Sequence, residues 1–240
     1  IRQAGIILDK EERKASIVEQ VKQAASLVGG EAIFDFVGAT GQSPLLEEVA
    51  NLIEMPTAVM GGFNSEFLAL PRDVLISVMK KHQRYFPVES QKSKVESATF
   101  DLRPSTLLPH FIAIRNGDDI GVNTVREGNE HVLGARFADA NFFVREDVKL
   151  KLEEYRPQLA KLTFHTKLGS MLDKSERMLK LAVELTDLLH IKDATFNQQL
   201  ARSVYLAKAD LATQMVTEMT SLQGIIGGEY ALRSGESKDV

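Results

Sequence analysis

The chain has 240 residues, of which 44% are hydrophobic and 26% charged, a formal net charge of −4 and no cysteine. That length suits one large or two modest domains with a buried core, and no apolar run approaches the ~20 residues that span a bilayer as a helix. Without cysteine there are no disulfides and no thiolate chemistry, and the acidic balance excludes wholesale coating of nucleic acid, so any such contact must come from a local basic patch.

In chain order, Asp9 is a predicted helix N-cap, with Glu12 three residues on completing a capping box. Ile17, Val18, Val21, Ala24, Ala25 and Val28 follow at helical spacing, and Gly29 and Gly30 stop that helix. A second helix is predicted from Ser43, with Pro44 in its first turn, an apolar face of Leu45, Leu46, Val49, Leu52 and Ile53, and an end at Pro56. Residues 57–63 read as a short strand running into a turn. Pro71 opens a helix to about Gln83 with Val74, Leu75, Val78 and Met79 on one face, and residues 84–88 read as a strand. Residues 89–106 are polar and lack periodicity, the pattern of a mobile loop or an insertion. Residues 107–115 form a buried strand, and Asn116-Gly117-Asp118 is a turn signal. Beyond Gly121 no strand is predicted. Helical patterns cover about 124–156, 159–190, 195–219 and 221–232, with a break at Pro157. The resulting organisation is an α+β domain over 1–157 followed by an all-α domain over 158–240. A first residue that is Ile and a last that ends no motif predict a piece of a longer protein. No secretory signal pattern is present.

The sequence lacks the glycine-rich dinucleotide and phosphate loops, the paired-histidine zinc helix and the serine nucleophile elbow. His82, His110, His131, His165 and His190 are scattered, with none at metal-ligand spacing from another. The acidic pairs Glu11-Glu12, Glu47-Glu48 and Glu153-Glu154 sit on polar helix faces and read as solvated surface. No catalytic residue and no metal ligand is predicted. From Arg72 to Lys94 the positive residues are Arg72, Lys80, Lys81, Arg84, Lys92 and Lys94 and the negative ones Asp73 and Glu89, a local balance of +4 in a chain of −4. Basic side chains supply phosphate contacts and an aromatic can stack an unpaired base. A solvated helix end with lysines suiting the macrodipole explains the same run, and Tyr85 and Phe86 read first as core residues.

Seven stretches in order, LLEEV (45–49), FLALPRDVL (67–75), MKKHQRYFPV (79–88), LLPHFIAIRNGD (107–118), GNEHVLGARFADANFF (128–143), FHTKLGSMLDKSERM (164–178) and LAKADLATQMVTEMTSLQGIIGGEYA (206–231), resemble the β subunit family of the α2β2 glycyl-tRNA synthetases. Met55 departs from the usual Trp and Gly134 from a common Arg, and residues 89–104 look inserted. The resemblance implies a fold in which a mixed sheet with helices, similar to the B3/B4 region of phenylalanyl-tRNA synthetase β, precedes an all-α domain similar to the HD fold and cut short at its C-terminal end. It implies an internal piece of a subunit that continues into an anticodon-binding domain.

The role implied is tRNA recognition beside an α subunit that carries the class II site for glycine, with ATP and Mg on α and no cofactor in this stretch. The implied partners are that α subunit and glycine tRNA, without DNA or membrane, in the cytoplasm or, for a plastid-bearing source, an organellar stroma. Expected phosphate contacts are Lys80, Lys81, Arg84, Arg115 and Arg136, and expected polar contacts Gln83, Asn116 and Asn129, the two asparagines reading first as turn residues beside glycine. At the HD-like part the His-Asp metal pair is matched by Ala209-Asp210 and the earlier His position by Asp173-Lys174, which leaves too few ligands. Asp210 is expected to pair with Lys174 or Arg177, and Lys167, Lys174, Arg177 and Lys208 are candidates for a basic edge facing RNA. Two rivals remain: an HD-class metal-dependent phosphohydrolase, and a scaffold that docks a partner subunit without touching tRNA.

Overall fold

A computed structural model describes residues 5–34, 37–38, 41–42, 45–90 and 106–240. Its compact units are residues 1–141 and 142–240. Helix α1 (Lys10–Leu27) starts where expected: Asp9 Oδ1 accepts the Glu12 amide at 2.8 Å, and Ile17, Val21 and Ala25 are wholly buried. After it come β1 (Gly30–Ala32), a two-residue hairpin of β2 (Val37–Gly38) and β3 (Gly41–Gln42), and α2 (Leu45–Leu52). The expected start of that helix at Ser43 and Pro44 lies outside the described residues. Strand β4 (Pro56–Gly62), a 3-10 turn (Ser65–Ala69) and α3 (Arg72–Ser77) follow, then a π-helical turn (Val78–His82), β5 (Phe86–Ser90) and β6 (Leu107–Asn116).

The strands form one sheet in the order β1-β5-β6-β4. All three pairings are antiparallel, so the sheet is not the mixed one the resemblance implied. Strand β1 was not predicted, because Gly29-Gly30 reads as a helix stop; Gly30 in fact sits against Val88 and Leu108, too close for any side chain. One face carries Phe86, Val88 and Ile112 into a core with Ile17, Val21, Ala25, Leu45, Val49, Ala50 and Ile53 of α1 and the α2 segment. Alternation along β6 sends Phe111 to the other face, where Tyr85 stacks on it with centroids 4.6 Å apart and Gly61 admits its ring. Gln20 of α1 satisfies the outer edge of β4, donating to Pro56 O and accepting from the Ala58 amide at 2.9 Å each. Edge backbone groups otherwise left open to another chain are thus occupied.

Helix α4 (Val122–Asp147) contributes Leu133, Phe137 and Ala140 to the first unit's core, where Phe137 meets Phe63 edge-on. The division between units falls inside this helix, earlier than Pro157. Its last residue, Asp147, is 1% exposed and belongs to the second unit: Oδ1 accepts the Gln214 amide and Oδ2 the Met215 amide, both at 2.9 Å. Pro157 ends nothing, since it lies in the first turn of a 3-10 helix (Arg156–Lys161), where its missing N–H costs no bond. The second unit continues with α5 (Leu152–Tyr155), β7 (Thr163–His165), β8 (Gly169–Ser170), α6 (Met171–Leu188) and α7 (Ala194–Leu206). A 3-10 turn (Ala209–Ala212), α8 (Gln214–Glu218), a second 3-10 turn (Thr220–Leu222) and α9 (Ile225–Arg233) complete it.

The β7–β8 hairpin corrects the expectation of no strand beyond Gly121. It forms because Gly169 takes the left-handed conformation, φ +82°, and because the Ser170–Asp173 capping box fixes the chain's entry into α6. Among the described residues no helix is long and apolar enough to cross a membrane.

Candidate nucleic-acid interface

The described residues of the basic run from Arg72 to Lys94 do not form one cationic surface. Lys80 is 1% exposed, and its ammonium donates to Phe34 O at 2.9 Å. The π-turn aims that side chain inward, so the expected phosphate contact at Lys80 is corrected to a buried tether. Arg72 pairs with Glu89 at 3.0 Å, and exposed Arg84, left-handed at φ +57°, lies 3.6 Å from Glu48. Lys81 is exposed and Gln83 half-buried. Lys92 and Lys94, with nearly all of the 89–106 segment, lie outside the described residues. Tyr85 and Phe86 are both buried, the second tilted against Phe34 at 5.4 Å, in keeping with core roles.

At the end of β6, Arg115 Nη1 donates to Ile120 O at 2.8 Å, which ties its own turn. Asn116 is a clamp: Oδ1 accepts the Met55 and Glu54 amides and Nδ2 donates to Glu54 Oε2. As the last residue of β6 it thereby ties the strand end to the segment before β4. Asn129 does not make a turn; it lies within α4, where Gly128 fills a helical position with open space around it. Arg136 is exposed on the same helix.

In the second unit the surface is simpler. Residues 160–169 are all exposed, and the run 155–172 carries Arg156, Lys161 and Lys167 with no acidic residue. Arg156 is spent internally, donating to Tyr205 O at 3.1 Å and lying over the Tyr205 ring. Of the other two cations, Lys161 ends the 3-10 helix that leads into the hairpin and Lys167 stands in the hairpin's turn. His165 Nδ1 accepts the Lys167 amide at 3.1 Å and His165 O the Leu168 amide, which closes the tip. Lys174, one turn into α6, places its ammonium 4.2 Å from the Phe164 ring centroid. Arg177 is exposed on α6, while Lys208 is half-buried and left-handed at φ +72°.

Asp210 takes neither expected partner. It is buried and accepts the Gly224 amide at the start of α9, and Gly227 leaves room for its carboxylate. Burial pushes its carboxyl above the usual range, opposed by that amide and by the charge of Lys208. Ala209 is wholly buried. Asp173, at the expected first-His position, is consumed by the capping box, and the Ser170 bonds hold its carboxyl below the usual range. Among the described residues no three His, Asp or Glu side chains gather as a metal site would need.

The family model for the glycyl-tRNA synthetase beta subunit matches residues 1–240. The chain belongs to that family. It is 42% identical over 240 residues to the glycine–tRNA ligase beta subunit of Synechocystis sp., covering 100% of this chain and 30% of that one. To the corresponding subunit of Clostridioides difficile it is 44% identical over 232 residues, 97% of this chain and 30% of the relative. For Listeria monocytogenes the figures are 41% over 231 residues, 96% and 31%. The chain thus spans about a third of the length of these glycine–tRNA ligase beta subunits. Of the residues expected at an RNA-facing surface of this family member, the structure places Lys167, Lys174 and Arg177 on the hairpin and the helix it leads into, and Lys81, Arg84 and Arg136 on separate elements of the first unit. The exposed segment beside them also carries Lys161, Phe164 and His165, which the sequence alone did not single out. The signal available was the alternation of Leu162 and Phe164 with Thr163 and His165, followed by a Lys-Leu-Gly turn.

Proposed function

We propose that this chain is a tRNA-handling part of a glycine–tRNA ligase beta subunit, which binds and positions glycine tRNA while a partner α subunit, holding ATP and Mg, attaches glycine in the cytoplasm. The observation that carries the reading is the family match along all 240 residues. It gains weight from the acid-free exposed segment with Lys161 and Lys167 in a chain of net charge −4. The first unit answers in this reading to the B3/B4 region, and the second to an HD-like domain whose metal pair is replaced by Ala209-Asp210. Phosphate contacts fall to Lys81, Arg84, Arg136, Lys167, Lys174 and Arg177, with Gln83, Asn129 and Lys208 at the margins. Arg115 ties the loop between β6 and α4, and Asn116 ties the end of β6 to Glu54 and Met55 before β4.

A second reading, a scaffold that docks the α subunit without touching tRNA, draws on the α6 stripe Leu181, Leu185 and Leu188, which are 56%, 53% and 73% exposed. Apolar surface at that spacing fits a partner helix. Glycine tRNA titrated against the chain and against the assembled enzyme, at several salt concentrations, separates the two. Binding that weakens with salt, by a log–log slope of roughly 0.7–0.9 per phosphate contact, supports tRNA handling. Association with α but no tRNA affinity at any salt supports the scaffold.

A further inference from the structure

We infer that the β7–β8 hairpin is an RNA-contacting ribbon, in which Lys161 at its base and Lys167 at its tip bind phosphates of the tRNA backbone and Phe164 holds Lys174 ready as a third cation. This rests on the tRNA-handling reading and deepens it. Lys161 and Lys167 are six positions apart in the sequence, with β7 between them. At ~3.3 Å per strand residue the three residues of β7 alone separate base from tip by roughly 10 Å, enough for the two lysines to meet different phosphates. A two-stranded hairpin alone is marginally stable in water. This one is fastened at its root, because Met171 N donates to Leu162 O at 2.8 Å and Asp173 accepts from Ser170. The ribbon is therefore held in place before RNA arrives, and less ordering accompanies binding.

The side chains fit a phosphate surface. His165 Nδ1 is committed as an acceptor from the Lys167 amide, which leaves its proton on Nε2 as an outward donor. The Lys174 ammonium over the Phe164 ring is anchored there by an aromatic face rather than by a carboxylate, so its charge is not neutralised by that contact and remains available to a phosphate. Phe164 is 40% and Leu168 51% exposed. Such apolar exposure would fit a protein partner as well, but a protein-docking core is depleted in charged residues, and here Lys161 and Lys167 flank it in the chain and Lys174 lies over Phe164. RNA, with charge to be met and sugar faces to be covered, accounts for both kinds of residue.

The test uses the full-length beta subunit assembled with its α partner and an in vitro transcript of glycine tRNA. Lys161→Ala/Lys167→Ala should flatten the log–log salt slope of tRNA binding by about 1.4–1.8, two contacts at ~0.7–0.9 each. Lys161→Arg/Lys167→Arg should restore it. Phe164→Leu keeps an apolar side chain but frees Lys174, and should weaken binding several-fold at low salt. Ultraviolet crosslinking should attach the transcript to the peptide spanning 162–167. Wild-type binding with an unchanged slope in the double alanine variant overturns the hairpin assignment and leaves the tRNA-handling reading standing. Loss of α association with tRNA binding kept makes the hairpin a protein contact and overturns it as well. Absence of any tRNA binding by the wild-type assembly sinks both.

Discussion

Tyr230 Oη donates to Asp147 Oδ2 at 3.1 Å across 83 residues of sequence, deep in the second unit. The same carboxylate accepts the first two amides of α8, and the Asp147 carbonyl accepts the Tyr155 hydroxyl at 2.9 Å. Burial and that carboxylate push the Tyr155 phenol up to about 12 and Tyr230 higher still. One residue at the end of α4 thus starts α8, holds Tyr230 of α9 and anchors Tyr155 of α5.

Asp147→Ala should therefore be among the most damaging single changes in the second unit. Two buried donors, the Met215 amide and the Tyr230 hydroxyl, lose their acceptor at about 1–3 kcal/mol each, and the part-buried Gln214 amide loses its own, so a loss of roughly 2–6 kcal/mol is expected. Tyr230→Phe removes only one bond and should cost about 1.5–3 kcal/mol, the range for hydrogen bonds to charged groups. Urea denaturation followed by circular dichroism measures both, and equal losses would contradict the hub role of the carboxylate.

Asp210 makes stability depend on pH. Its carboxyl is raised by burial, so its contribution is fully present below the unfolded value of ~3.9 and is lost as pH rises through the higher folded value. Asp210→Asn keeps an oxygen for the Gly224 amide without the charge. Relative to wild type, it should be increasingly favoured as pH rises from 4 to 7, whereas Asp210→Ala should be destabilised throughout. Melting temperatures across that range decide it: a gap between Asn variant and wild type that stays constant would show that burial of charge is not felt.

Two glycines should respond in opposite directions to the same substitution. Gly128 lies within α4 with nothing within 4 Å of an added Cβ; Gly128→Ala should stabilise by about 0.5–1 kcal/mol. Gly61 is covered by the Phe111 ring, which is itself pinned under Tyr85. Gly61→Ala should cost about 1–3 kcal/mol through overpacking. Thermal melts of the two variants side by side are sufficient.

Lys80 and Lys81 are neighbours with opposite expected phenotypes. Lys80→Ala removes a wholly packed stem and the donor to Phe34 O, and should cost about 2 kcal/mol or more. It should leave the salt slope of tRNA binding unchanged. Lys81→Ala should spare stability within roughly ±0.5 kcal/mol and flatten that slope by ~0.7–0.9. A Lys80 variant that folds as wild type but binds tRNA with a flatter slope would reverse the assignment.

Local rules served well where local physics decides. The Asp9 cap, the apolar stripe of α1 and the strand at 107–115 all follow from spacing and side-chain chemistry. The failures were non-local. The inward path of Lys80 depends on a π-turn that no periodicity announces, since one extra residue in a helix leaves the apolar count unchanged. Strand β1 exists only because Val88 and Glu89 lie beside it. The hairpin at 163–170 was hidden by its flanks, for both neighbouring segments are helical. Among the site residues, exposure of Lys167 and Arg177 could be expected from polarity alone, but the Phe164–Lys174 pairing joins residues on two elements and required the fold.

The π-turn at Val78–His82 links chain length to residue identity. One residue fewer there would restore ordinary helical winding and rotate the downstream chain by roughly 100°. Met79 and Lys80 could then no longer both face inward with Tyr85 still reaching Phe111. A relative that lacks that residue must therefore do without the buried lysine too, and the pair should be gained or lost together during descent, as a single heritable unit.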